Sequence, residues 1–262
     1  MWTQEMFGVE KPIIALLHLD ALPGDPGYCG SMEQVIEHAR DDLISLQDGG
    51  VDGILFANEF SLPYQPVADI AVISAMAYII GNLKPLLRLP FGVNVVKNPI
   101  ATGARFARSC FSGAYMGEYG LYTSNSGEAV RRRKALGIPD LKLLYKVNPE
   151  ADTYLVQRDI QVVSRSILFG GFADGLCVSG AAAGSEPDDV LLEKVWQVAR
   201  PRGGPVFCNT GCRHENVRDK LQRCDAVCMG TAFKKDGVFN ERVDRSRVEC
   251  FMDIVRDIRA GL

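Results

Sequence analysis

Residues with acid/base or anion-binding chemistry recur along the chain, each just after a short apolar run: His18, Glu59, Asn94, Arg108, Lys146, Ser179 and Asn209. His18 suits general acid/base work because an imidazole titrates near neutrality, and as one of three histidines it reads equally as a hydrogen-bonded core residue. Glu59, preceded by Asn58, is the candidate general base, since burial raises a carboxylate toward working pH; an ion pair with Arg108 or Lys146 is its plainer use. The planar fork of Arg108 matches a carboxylate or a second phosphate. Lys146 offers electrostatic stabilisation of an enolate, or a Schiff base if its pKa is depressed. The first role asks less of the surroundings and is preferred, with a plain exposed lysine as the alternative. Asn58, Asn94, Arg108, Ser179 and Asn209 are then substrate-binding candidates.

A second signal lies in the stretch from Val206 to Gly237. Val206-Phe207-Cys208-Asn209-Thr210-Gly211 and Ala226-Val227-Cys228-Met229-Gly230-Thr231 are short apolar runs that stop in small polar residues and glycine, the pattern of two buried strands. Val217 and Leu221 stand four apart between them, so one helix joins the strands and makes them parallel. Two consecutive exits of this kind can turn backbone N–H groups onto one anion, so Gly211, Gly230 and Thr231 are assigned to a phosphate, with Lys234 as a charge partner. Tight turns alone are the bland reading of these glycines, and a solvated turn is the bland reading of Lys234 and Lys235.

The elements that must position these groups follow from the same periodicity. Apolar runs at Ile13–His18, Gly53–Ala57, Phe91–Val96, Ala104–Cys110, Leu141–Val147 and Asp174–Val178 precede the two above, and helical patterns separate most of them. Ser31 and Gln34 form a capping box, Ser185 is expected to cap the helix after the sixth strand, and Tyr154–Phe169 is expected to be helical. The segment Phe111–Ser126 is expected to be a long loop. Eight strands alternating with helices over 262 residues predict a single (β/α)8 TIM barrel, residues 1–262, whose strand ends converge on one mouth. An open doubly wound sheet is the alternative; no G-x-G-x-x-G follows the first strand. Only Lys97–Gly103 separates the third and fourth strands, whereas a full crossover takes at least about ten to twelve residues. That third crossover is expected to be shortened, through a one-turn helix, a locally open barrel or missing residues.

Composition removes other classes. A formal charge of −3 offers no basic field for nucleic acid, and the densest cluster, Arg131-Arg132-Arg133, fits a solvated helix face. No apolar run approaches about 18 residues and the first residues lack signal-peptide character, so direct membrane insertion is not expected and a cytoplasmic location is. The eight cysteines should be reduced, with Cys177, Cys208 and Cys228 as small core residues in strands. The spacing of Cys208, Cys212, Cys224 and Cys228 invites zinc, but two of the four sit inside strands, where structural zinc knuckles do not. No metal or cofactor is therefore expected.

Taken together, His18-Leu19-x-x-Leu22-Pro23-Gly24-Asp25-Pro26, Asn58-Glu59-Phe60-Ser61-Leu62-Pro63-Tyr64, Gly92-Val93-Asn94-Val95, Thr102-Gly103-Ala104-Arg105-Phe106 with Arg108, Gly113-Ala114-Tyr115, Val178-Ser179-Gly180, Asn209-Thr210-Gly211 with Glu215-Asn216-Val217, and Thr231-x-Phe233-Lys234-Lys235-Asp236-Gly237 make a specific set. On these residues the chain resembles the BtpA/SgcQ family of TIM-barrel proteins over nearly its full length. Its details look closer to the SgcQ branch, associated with a carbohydrate-utilisation gene cluster, than to the cyanobacterial branch implicated in photosystem I accumulation. The shortened link between the third and fourth strands departs from the family pattern. The resemblance implies a fold and attaches no reaction.

H-E-x-x-H, G-x-S-x-G, a Walker loop and a magnesium-type carboxylate set are all missing from the sequence. What is left is acid/base chemistry, with His18, Glu59 and Lys146 as catalytic candidates, on a small phosphorylated metabolite. A sugar phosphate or nucleoside phosphate would be isomerised, epimerised, cleaved in an aldol sense or split at a nucleoside bond. The competing classes are a non-catalytic assembly factor and a ligand-binding regulatory barrel. Such barrels often pair through their helices, so a homo-oligomer is an open expectation without an assigned face.

Overall fold

The computed structural model describes residues 1–65, 67–94, 103–118, 120–150, 152–182 and 184–262. In chain order the elements are α1 (Trp2–Phe7), β1 (Ile13–His18), α2 (Met32–Asp48), β2 (Gly53–Ala57), α3 (Ile70–Leu83), β3 (Phe91–Asn94), β4 (Phe106–Ser109), β5 (Gly113–Gly117) and β6 (Gly120–Ser124). There follow α4 (Ser126–Ala135), β7 (Lys142–Lys146), β8 (Asp152–Tyr154), α5 (Ile160–Gly170), β9 (Gly175–Val178), α6 (Asp189–Ala199), β10 (Val206–Cys208), α7 (Val217–Gln222), β11 (Ala226–Met229) and α8 (Arg245–Ala260).

Eight parallel strands close on themselves in the order β1-β2-β3-β4-β7-β9-β10-β11, so the chain is a (β/α)8 TIM barrel. The apolar runs are continuous because both faces of each strand are covered. Outward-facing Ile13, Ala15 and Leu17 join the shell packed under the helices, while Ile14, Leu16, Leu55, Phe106, Leu144, Cys177, Phe207, Ala226 and Cys228 fill the barrel. The predicted Ser31 cap is present, its side chain accepting from the Gln34 N–H at 3.3 Å.

Four features differ from expectation. Helix α1 closes the floor of the barrel, its Trp2 ring 6.1 Å from Phe207 and its Phe7 ring 5.9 Å from Phe106. Its six residues are too few for periodicity to reveal. The segment expected to be a loop forms the hairpin β5-β6, and β8, expected to begin a helix, adds to it antiparallel in the order β6-β5-β8. This sheet is held by the rings of Tyr115, Tyr122 and Tyr154, with centroids 5.0 and 4.6 Å from Tyr115. Tyrosines alternating with glycines carry β propensity that a loop reading misses. Helix α5 therefore starts at Ile160, capped by Asp159. Asp188, not Ser185, caps α6; Ser185 Oγ instead donates to the Ala182 carbonyl at 2.6 Å. Strand β3 pairs directly with β4; residues 95–102, which take in the last two of the expected third strand and all but Gly103 of the link Lys97–Gly103 expected to be short, lie outside the described residues. Among the described residues no helix is long and apolar enough to cross a membrane.

Candidate functional site

Parallel strands deliver their C-terminal residues to one mouth, and there the proposed polar residues meet. Arg108, 2% exposed at the end of β4, donates from Nε to Asn94 Oδ1 at 3.1 Å and from one terminal nitrogen to Asn209 Oδ1 at 2.6 Å. Asn209 passes the order on, donating to Ser179 Oγ at 2.7 Å and to Glu150 Oε1 at 3.4 Å. Two amide carbonyls thus hold a buried guanidinium whose other terminal nitrogen lies 3.8 Å from Glu59 Oε1. Glu59 is also held by the Tyr64 hydroxyl, which donates to Oε2 at 2.9 Å. The anticipated Glu59–Arg108 pair exists but is long, so Glu59 keeps acceptor capacity toward the mouth.

Lys146, at the end of β7, donates to Glu150 Oε2 at 3.2 Å. Burial works against its charge, but the carboxylates of Glu150 and Glu59 outweigh that and hold its pKa above the ordinary lysine value. The ammonium form dominates at neutral pH, which favours the electrostatic role over the Schiff base and excludes a plain exposed lysine. Glu150 was not anticipated. It lies in the loop after β7, where a carboxylate four residues beyond a strand-end lysine was the available signal.

His18 is 4% exposed and sits among aromatic rings, its centroid 6.2 Å from Phe60 and 5.4 Å from Phe239. Burial, then the charges of Lys234 and Arg108, press its pKa well below 6.5, so the imidazole is neutral, and its buried Nδ1 has no partner among the described residues. Gly230 is required here, because a Cβ at that position would lie 2.5 Å from His18 Nε2. Lys234 is not on a solvated turn: it is 2% exposed, donates to the Phe239 carbonyl at 2.7 Å and stands 4.8 Å above the Phe60 ring. Burial pushes its pKa down to about 8.

Two adjoining cavities open at the mouth. The smaller, about 330 Å³, brings Gly211, Gly230 and Thr231 together with His18, Glu59, Arg108 and Asn209. Lys234 is not among its described lining residues; Arg213, His214 and Arg247 are, and the two guanidinium groups supply the cationic character assigned to Lys234 from sequence. Arg213-His214 directly follows the Gly211-Cys212 exit and was legible there; Arg247 comes from α8 and was not. Gly211 has φ +68°, and a Cβ on it would lie 2.2 Å from the Glu186 backbone nitrogen, so this glycine is demanded by chain-to-chain packing as well as by its turn. The larger cavity, about 760 Å³, lies between the mouth and the β6-β5-β8 sheet and takes in Asn58, Asn94 and Lys146. Ser179 lines neither among the described residues and acts through Asn209.

The strand cysteines Cys177, Cys208 and Cys228 are buried and free. Burial raises the thiols of Cys177 and Cys228, the latter to about 12, while the contact with Cys212 leads the rise at Cys208. These are inert core thiols. Among the described residues no three His, Cys, Asp or Glu side chains are arranged to hold a metal ion.

The sequence model of the BtpA family matches residues 9–257. The chain belongs to the BtpA family. This BtpA-family protein is 44% identical to the putative sgc region protein SgcQ of Escherichia coli, over 98% of its own length and 99% of the relative's. It is 31% identical to the photosystem I biogenesis protein BtpA of Synechocystis, over 97% and 91% of the two chains. In fold it is similar to (S)-3-O-geranylgeranylglyceryl phosphate synthase from Thermoplasma acidophilum, solved with its substrate sn-glycerol-1-phosphate, with a TM-score of 0.59, 17% identity and coverage of 98% and 96%.

Proposed function

We propose that this BtpA-family chain is an enzyme that performs acid/base chemistry on a small phosphorylated substrate. The observation carrying this reading is the smaller cavity, whose lining brings Gly211, Gly230, Thr231, Arg213 and Arg247 together with His18, Glu59 and Arg108. A phosphate held by guanidinium groups and backbone N–H groups leaves the remainder of the molecule facing the acid/base groups. Glu59 serves as general base, positioned by Tyr64 and Arg108. Neutral His18 relays a proton or polarises a carbonyl, and Lys146 stabilises negative charge as it develops on an enolate or leaving oxygen. The phosphate ligand of the structurally similar synthase supports the reading as an analogy of fold.

Thermal unfolding with inorganic phosphate, sugar phosphates and nucleoside phosphates tests it. A ligand at about 100 times its dissociation constant adds roughly 2.7 kcal/mol to stability. The expected result is a raised midpoint that the double variant Arg213→Ala/Arg247→Ala loses. Substitution at Gly211 is unsuitable, since any side chain there meets the Glu186 backbone. Absence of a shift with every phosphate compound would withdraw the proposal. Binding without turnover across the panel would move it toward a regulatory barrel.

A further inference from the structure

Helix α3 is apolar on the side it turns to solvent as well as on the side it buries. Val72, Met76, Ile79 and Leu83 pack inward, while Ile70 is 79% exposed and Tyr78 58% exposed. Ser74, Ala77 and Gly81 are exposed at helical spacing on that same outer face, and none of the 14 residues of the helix is charged. The other long helices, α2, α4, α5, α6 and α8, all carry charged residues. A helix that is apolar all round is ordinarily covered on both sides.

Gly81 adds an independent observation. Its φ is not positive, and a Cβ built on it meets nothing within 4 Å among the described residues, so neither the backbone nor crowding within this chain calls for glycine. A glycine inside a helix weakens it relative to alanine. What the missing side chain does permit is the close approach of a second backbone, and Ser74 and Ala77 continue the same low strip toward the helix centre.

The ends of the helix select its partner. Asp69 caps the start and Lys84 follows the end, so two copies of α3 crossing antiparallel about Ser74 set an acidic end against a basic one at both extremities, with their dipoles opposed. The same crossing lays Tyr78 of each copy over Ile70 and Ala71 of the other, with the small residues Ser74 and Ala77 at the contact. The face is its own complement in size and in charge, as a twofold interface requires. A second exposed apolar patch, Phe169 and Phe172 at the end of α5, lacks these features: Arg165 interrupts it, and its Gly170 ends the helix, where glycine is ordinary.

We propose that the outer face of α3 is the interface of a twofold homodimer, with the two helices antiparallel and closely packed over Ser74, Ala77 and Gly81. Helix α3 lines neither cavity among the described residues, so the inference stands apart from the phosphate reading.

Sedimentation velocity on the full chain tests it. A helix pair about 21 Å long makes a small interface, so the series runs from about 1 to about 300 µM. The expected result is a monomer–dimer equilibrium whose dissociation constant rises about tenfold or more in Gly81→Arg and in Tyr78→Arg. Gly81→Arg fills space that is empty in the monomer, so its thermal midpoint at the lowest concentration should match or exceed that of the wild type; if either variant fails to fold, the other still decides. Gly170→Arg makes the same change on α5 and should leave association as it was. Lys84→Glu turns unlike helix ends into like ones and should weaken the dimer in low salt and not in high salt. A monomer throughout the series, or a dimer that both α3 variants leave intact, overturns the proposal. A Lys84→Glu dimer as tight as the wild type in low salt overturns the antiparallel arrangement.

Discussion

Two lysines on the barrel mouth, Lys234 buried and Lys146 half-buried, have been pushed in opposite directions. Lys146 looks onto Glu150 and Glu59 and is held above the ordinary lysine pKa despite its burial. Lys234 looks onto the faces of Phe60 and Phe239 and the Phe239 carbonyl, and burial brings it down to about 8. Desolvation is common to both; the partner decides the sign. The β4/β7 side of the mouth can therefore keep a permanent cation next to a substrate, whereas the β11 side stores a weakened one behind His18 and helps keep that imidazole neutral.

The comparison is easiest to break at Arg108, which joins the Lys146 side to Asn94 and Asn209. Arg108→Met should cost about 3–5 kcal/mol in denaturant unfolding, because it strands two buried amide oxygens, and Arg108→Lys should fail to rescue what a planar fork supplies. Wild-type-like unfolding of Arg108→Met would show that the network is not a structural unit.

Next in size is the pH response. Lys234 has a native pKa below its unfolded value of 10.5, so the native state binds fewer protons between about 8 and 10.5 and stability climbs with pH across that window. The full effect is on the order of 3 kcal/mol, and Lys234→Met should flatten the slope when unfolding is compared at pH 7.5 and 10. Lys146 has the opposite sign. Its contribution is whole below the unfolded pKa and is lost as pH rises through its higher native value. A slope unchanged by Lys234→Met would mean that the aromatic surroundings do not set its charge.

Glu150→Gln sharpens the contrast from the other side. It should cost about 1–3 kcal/mol and lower the Lys146 pKa, read by NMR titration of the side-chain ammonium, so that the two lysines become alike. An unmoved Lys146 would assign its charge to Glu59 instead. As a control remote from the mouth, Ser31→Ala should cost about 1 kcal/mol through the lost α2 cap and leave both lysine titrations as they were.

Legibility followed sequence distance. The eight barrel strands could be read because each is a short apolar run ended by a polar or glycine exit, and strand ends of one barrel must converge. That geometry was enough to select His18, Glu59, Arg108, Lys146 and Asn209 as neighbours. Glu150, Arg213 and His214 stand within four residues of strand exits and were legible by that proximity although not singled out, whereas Arg247 comes from a helix start, where side-chain direction toward the mouth follows from no period. The β6-β5-β8 sheet was missed because β8 is three residues long and its partners lie beyond an intervening barrel strand.

What this sequence determined by itself is the order of the strands, their parallel sense and the polar character of their exits, since alternation and run length are local properties of the chain. Only the tertiary structure decided which charges survive burial. Gly211 and Gly230 were legible as turn residues, but their need for the smallest side chain comes from the Glu186 backbone and the His18 ring, brought there by distant segments. Lys234 likewise resembled any lysine in a polar turn until Phe60, from the loop after β2, was placed beside its ammonium group. A charge state is set by the nearest atoms, and in a closed barrel those atoms come from strands that are neighbours in space and strangers in sequence.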